Sequence, residues 1–225
     1  MKKQRAAVYI DGFNLYHAID DLNYVYENGR KTHNRKNAKD QVQHLKWVNL
    51  WALSESLLRD YQELVAVNYY SAYATWRKPE YKRHQTYTKA LEAKGVRVVM
   101  SVFKEQKRSC KKCGSTWIRH EEKESDVRIA VDLIADAMLD KFDDAFLITA
   151  DSDLKPAIER VHAEAPHKNT VVVAPPKRFG HARDLKPNME ATRGRIAKSL
   201  LPEIIVDGNG NTICTRPKEY NPPEE

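Results

Sequence analysis

Cysteine is scarce in this chain, with three residues in 225, too few for a disulfide framework. Long apolar runs are absent as well. No stretch approaches membrane-spanning length, and Met1-Lys2-Lys3-Gln4-Arg5 leads straight into an apolar strand without a signal-peptide core. The chain therefore reads as cytoplasmic, with no membrane partner. It has no internal repeat and no glycine-rich dinucleotide motif. Charge, by contrast, is plentiful. Charged residues make up 31% and hydrophobic residues 41%, a balance that fits a folded protein rather than a disordered one. The formal net charge is +7, and a basic surface around an acidic cluster suits a metal enzyme acting on a polyanion.

The acidic cluster starts with Asp143 to Asp153. Ala145-Phe146-Leu147-Ile148 has the length and composition of a buried parallel strand, and it breaks at once into Thr149-Ala150-Asp151-Ser152-Asp153. Leu154 to Val161 then reads as a helix, with Pro156 near its first turn. Two carboxylates are thus planted where a strand ends and a helix starts, which is where open α/β sheets build their sites. Taken alone, the stretch also permits Asp151 as a helix cap and Asp153 as a partner of the helix dipole. Other strand ends weigh on that choice. Ala6 to Ile10 is a buried-strand run that closes on Asp11-Gly12, with Asn14 three residues further on; an Asp-Gly turn is the plainer alternative there.

Further strands are expected at 64–73, 96–103 and 169–176, and helices at 47–61, 81–94, 125–141 and 180–201. Strands alternating with helices predict a parallel, doubly wound α/β sheet of about five strands with helices on both faces. On the 125–141 helix, Val127, Val131, Ile134 and Met138 mark an apolar face that Ile129, Ala130, Leu133 and Ala137 extend. Arg128, Asp132, Asp136 and Asp140 recur as a polar stripe. Asp126 lies off that stripe at the helix start and is expected to point inward, whereas Asp132 reads as solvated. Asp11, Asp126, Asp151 and Asp153 would then share one sheet edge and bind a hard divalent cation, Mg²⁺ or Mn²⁺, through oxygen.

Two basic segments interrupt this pattern. Residues 20–46 are polar and carry Arg30, Lys31, Arg35, Lys36 and Lys39, with Tyr24 and Tyr26 before them. These suit phosphate contact and stacking of unpaired bases, although a solvated loop explains them too. Residues 104–122 read as irregular and contain Cys110-Lys111-Lys112-Cys113, half of a zinc knuckle for structural Zn²⁺ to which His120 is a candidate third ligand and Cys214 or another histidine a fourth. A pair of reduced surface thiols is the alternative. Residues 204–214 look like a hairpin around a Gly-rich turn, and 217–225 like a disordered tail.

The segments Tyr9-Ile10-Asp11-Gly12-Phe13-Asn14-Leu15, Glu122-Lys123-Glu124-Ser125-Asp126-Val127 and Thr149-Ala150-Asp151-Ser152-Asp153-Leu154 together resemble the signature blocks of NYN domains, PIN-like metal-dependent ribonucleases with a Rossmann-like sheet. The resemblance covers about residues 6–176. It implies that Asp11, Asn14, Asp126, Asp151 and Asp153 form an acidic metal site that hydrolyses RNA phosphodiester bonds. Ala150 departs from the glycine frequent at that position. The resulting organisation is a nuclease domain over 1–200, with insertions at 20–46 and 104–122 and an extension over 201–225. Single-stranded RNA is the expected partner, and a homo-oligomer is compatible with the sequence. A phosphotransferase with an aspartate nucleophile would need a second carboxylate where Phe13 stands, and a Toprim-like fold would want a glutamate after an earlier strand. The remaining rival is a catalytically silent nucleic-acid-binding module on the same fold.

Overall fold

The computed structural model describes residues 3–27, 30–33 and 42–223. Its centre is β1 (Gln4–Asp11), flanked in parallel register by β4 (Gln62–Ala72) and β7 (Asp144–Ile148). Outside β4 lies β5 (Arg97–Ser109), and outside β7 lies β8 (Asn169–Ala174), again parallel. These are the five strands expected from the apolar runs. The sheet nevertheless has seven, because β6 (Thr116–Lys123) adds antiparallel to β5 and the short β9 (Met189–Glu190) adds parallel to β8.

Alternate residues of the central strands feed two separate cores, as a period of two requires. Val8, Ile10, Phe146 and Ile148 pack with residues of α1 (Gly12–Asp21), α2 (Leu50–Glu55) and α3 (Lys78–Glu92). Ala7, Tyr9, Ala145 and Leu147 pack with α4 (Ser125–Met138) and α5 (Lys155–Glu164). Every residue of β7 is buried, which explains its unbroken apolar reading. Helices therefore cover both faces. The strand order places β1 and β7 at the point where the chain, having wound outward through β4 and β5, returns to the other side. Among the described residues no helix is long and apolar enough to cross a membrane.

Several expectations need correction. Residues 104–122 are not irregular. They form the distal half of the β5–β6 hairpin, with exposed side chains on both faces and therefore no apolar alternation. The helix expected at 47–61 is confined to α2, where Asn49 caps the start and the Ser54 and Ser56 hydroxyls bond back to the carbonyls of Leu50 and Leu53. Residues 180–201 hold only α6 (Arg193–Lys198) and a 3₁₀ turn besides β9. Within the basic segment, β2 (Tyr24–Glu27) pairs antiparallel with β3 (Arg30–His33). The 204–214 region is the hairpin β10 (Ile204–Val206) and β11 (Thr212–Thr215). Beyond it the chain does not simply trail away: Tyr220 is buried in the main core beside Trp47.

The apolar face expected on α4 is buried only in its extended part. Ile129, Leu133 and Ala137 are buried, while Val127, Val131 and Met138 are exposed. Two members of the polar stripe, Asp132 and Asp136, border the sheet instead of open water. Asp132 accepts hydrogen bonds from the Tyr70 hydroxyl (2.8 Å) and Arg97 (2.7 Å), and Asp136 accepts from the Tyr9 hydroxyl (2.8 Å). Asp132 is thus a structural acceptor for a buried tyrosine and not a solvated charge.

Candidate active site

Asp11 is the last residue of β1 and the N-cap of α1, its Oδ1 accepting from the Asn14 backbone N–H at 2.9 Å. The helix can start this tightly because residue 12 is glycine. A Cβ there would stand 2.6 Å from both the Tyr70 carbonyl oxygen and the Tyr69 ring. Asp11 is 4% exposed, and its Oδ2 accepts from the Asn14 side-chain amide (2.9 Å) and the Thr149 hydroxyl (3.1 Å). Burial pushes the Asp11 carboxyl up from its ordinary range, the bonds from Asn14 and Thr149 oppose that rise, and Asp151 adds repulsion.

Asn14 also reaches across the switch point, its Oδ1 accepting from the Ala150 N–H at 3.3 Å. The Thr149 hydroxyl in turn accepts from the Asp151 N–H at 3.1 Å. Asp151 Oδ1 then accepts from the Asp153 N–H at 3.0 Å, starting the 3₁₀ turn that precedes α5. Hydrogen bonds thus run from the end of β1 to the loop after β7.

Asp126 lies in the first turn of α4. Its carboxyl is pushed up to about 7, first by burial and then by the negative charges of Asp11, Asp151, Glu122 and Asp153. The repulsion identifies its neighbours. Asp11, Asp126, Asp151 and Asp153 lie together at the carboxyl edge, and Asn14 lies among them. Glu122, quoted in the second sequence block without a role, is a fifth carboxylate of the group. It holds the start of α4 by accepting from the Ser125 N–H (3.2 Å) and hydroxyl (2.6 Å). Recognising residues 116–123 as a strand leading into α4 would have drawn attention to it. Thr149 is the other omission, visible only once its hydroxyl is seen to join two loops.

No ion pair among the described residues neutralises any of these five carboxylates. An all-oxygen, uncompensated donor set fits a hard divalent cation. Among the described residues, no three His, Cys, Asp or Glu side chains converge tightly enough to hold an ion unaided.

The expected zinc set is not assembled. Cys110 and Cys113 flank the turn of the β5–β6 hairpin, where the Ser115 hydroxyl and backbone, together with Cys110, lower the Cys113 thiol to about 7. His120 pairs with Glu105 four residues up β6 from Thr116, about 13 Å away at ~3.3 Å per residue. There it stacks on Trp76 with ring centroids 3.6 Å apart. Cys214 lies on β11 against α3, its thiol directed at the Thr86 carbonyl. Of the basic residues expected to grip substrate, Arg30 and Lys31 lie on β3, and Arg35, Lys36 and Lys39 lie outside the described residues.

A family model for the NYN domain matches residues 5–188. No curated protein matches the chain. Among solved structures, a crystal structure of a protein of unknown function from Vibrio parahaemolyticus is similar at 17% identity. The similarity covers 89% of this chain and 98% of that one, with a TM-score of 0.47.

Proposed function

The chain belongs to the NYN domain family, and from that premise we propose that it is a metal-dependent ribonuclease cutting RNA phosphodiester bonds at the Asp11, Asp126, Asp151 and Asp153 edge. The observation that carries this reading is the gathering of these carboxylates at the sheet's switch point with no ion pair among the described residues to offset them. Holding such a cluster together is costly unless a cation binds it. The reading takes 1–200 as the nuclease unit, with 20–46 and 104–122 as insertions and 201–225 as an extension.

Bound Mg²⁺ or Mn²⁺ would neutralise the scissile phosphate and make water nucleophilic at neutral pH. The chain's own residues supply the placement. Asp11, fixed by Asn14 and Thr149, is the rigid ligand, since its carboxylate cannot rotate without breaking three hydrogen bonds. Asp151 and Asp153 offer oxygens from the loop after β7, and Asp126 closes the edge from α4. Arg30, Lys31, Arg35, Lys36 and Lys39 would hold phosphates flanking the scissile one. For zinc, Cys110 and Cys113 are two thiol ligands that need partners from elsewhere.

The incomplete ligand shell favours one second reading, a silent RNA-binding module. Incubating the purified protein with single-stranded RNA, duplex RNA and DNA in Mn²⁺, Mg²⁺ or EDTA separates the two. The proposal expects RNA to be cut with either metal and spared in EDTA. Binding without cleavage under every condition would favour the silent module.

A further inference from the structure

A cavity of about 450 Å³ opens beside the carboxylate edge, beginning at Gly12 and Phe13, directly after Asp11. That volume lies within the ~300–1,000 Å³ range of small-molecule pockets. One wall is a relay of rings. Phe13 meets Phe103 edge-on at 5.4 Å, Phe103 meets Trp76 edge-on at 4.7 Å, and Trp76 stacks on His120 at 3.6 Å. Trp76 keeps 37% of its surface exposed. Leaving a large aromatic in water forfeits burial energy that the nearby core would provide.

The polar lining is mixed. Arg77 and Arg119 are exposed at the cavity, and no ion pair among the described residues engages either one. Arg83 lines it as well, paired with Glu219 at 2.9 Å. Glu121, which also bonds Gln106 and Lys123, and Glu122, which holds Ser125, add carboxylate acceptors to the lining. A purely apolar ligand would strip water from these charges without replacing it. A nucleotide matches all three features: its base stacks on the rings, its exocyclic amine meets a carboxylate, and its phosphate meets an arginine.

We infer that this cavity is a base-binding subsite, taking one unpaired nucleotide of an RNA strand whose neighbouring phosphate lies at the aspartate edge. The inference rests on the ribonuclease reading for the strand's path, and it adds which part of the substrate is read and by which residues. A duplex cannot present a base to the cavity without unpairing, so the subsite selects single strands, loops or ends. The β5–β6 hairpin, which carries Phe103, Arg119 and His120, then acts as a substrate wall.

The test is equilibrium binding by fluorescence anisotropy in EDTA, using short labelled oligoribonucleotides each abasic at one position. Wild type, Trp76→Ala and Arg77→Gln/Arg119→Gln proteins are compared, with circular dichroism to check folding. For wild type, removing the base at one position should weaken binding about tenfold, the scale of one base–aromatic stack. Trp76→Ala should bind intact RNA about tenfold more weakly and no longer distinguish it from the abasic strand. The double arginine variant should retain that distinction with lower affinity and a flatter salt dependence. RNA binding by wild type that ignores every abasic position would overturn the subsite, as would discrimination that survives in Trp76→Ala. Absence of RNA binding would overturn it too. A preserved base signature with no cleavage in Mn²⁺ would end the nuclease reading alone and still support the subsite.

Discussion

The hydroxyl of Thr149 donates to Asp11 Oδ2 at 3.1 Å while accepting from the Asp151 N–H at 3.1 Å, so one side chain holds the first and third aspartates of the cluster in register. Thr149 is 1% exposed, and its bond to Asp11 is buried from water. Two strands distant in sequence are thereby tied at their carboxyl ends, where the sheet's winding reverses.

Removing that hydroxyl should be felt twice. Thr149→Val leaves a buried carboxylate oxygen and a backbone N–H short of a partner, at a cost of about 1–3 kcal/mol. Urea unfolding should register the loss, and RNA cleavage should need more Mn²⁺ to reach half its maximum. Thr149→Ser, which restores the hydroxyl, should recover both. A valine variant with unchanged stability and metal requirement would show that the link is incidental.

Asp132 should matter for stability and not for cleavage. Tyr70→Phe removes the buried hydroxyl's bond to it and should cost about 1 kcal/mol. Arg97→Ala, breaking a pair that is largely exposed on the arginine side, should cost no more than about 1 kcal/mol. Both proteins should cut RNA at the wild-type rate per folded molecule. A large loss of rate without loss of stability in Tyr70→Phe would instead place Asp132 in the active site.

These two carboxylate roles show what the sequence could and could not convey. Asp11, Asp151 and Asp153 were legible because each follows a strand whose neighbours are buried on both faces, as in β7. Burial likewise runs unbroken through the ends of β1, β4 and β8, whereas β5, in which only Ser101 is buried, was readable from its Val-rich start. The β5–β6 hairpin was not, because it extends past the core and its alternate residues meet water on either side. On α4 two apolar stripes compete. Ile129, Leu133 and Ala137 take the sheet, and Tyr9 and Tyr70 offer hydroxyls to the neighbouring acids. A helical period reports spacing, but not which tyrosines wait on the facing strand. The aromatic wall was equally hidden, since Phe13, Trp76, Phe103 and His120 come from four separate segments.

Acid should destabilise the fold partly through His84. Its ring is packed among Tyr69 and Tyr73 and accepts or donates one bond to the Tyr69 hydroxyl, and burial lowers its pKa to about 4. The unfolded chain, with an ordinary histidine near 6.5, binds more protons between these values. The contribution is therefore fully present above about 6.5 and is lost as pH falls toward 4, on the order of 1–3 kcal/mol. His84→Gln cannot titrate. Unfolding free energies at pH 7 and 4.5 should show wild type losing more than the variant. Equal losses would mean that His84 is protonated as readily in the fold as outside it.

The most direct measurement is single-turnover cleavage of end-labelled single-stranded RNA by wild type, Asp126→Asn and Asp151→Asn, each with Mn²⁺ and with EDTA. Asp126→Asn removes a carboxylate that its neighbours repel, so the variant should fold at least as stably as wild type. Wild type should cut with Mn²⁺ and stop in EDTA. Both variants should fall by about a hundredfold or more, the scale of losing a group that stabilises transition-state charge. Wild-type rates in either folded variant, cutting that persists in EDTA, or no cutting by wild type with any divalent metal would contradict the account.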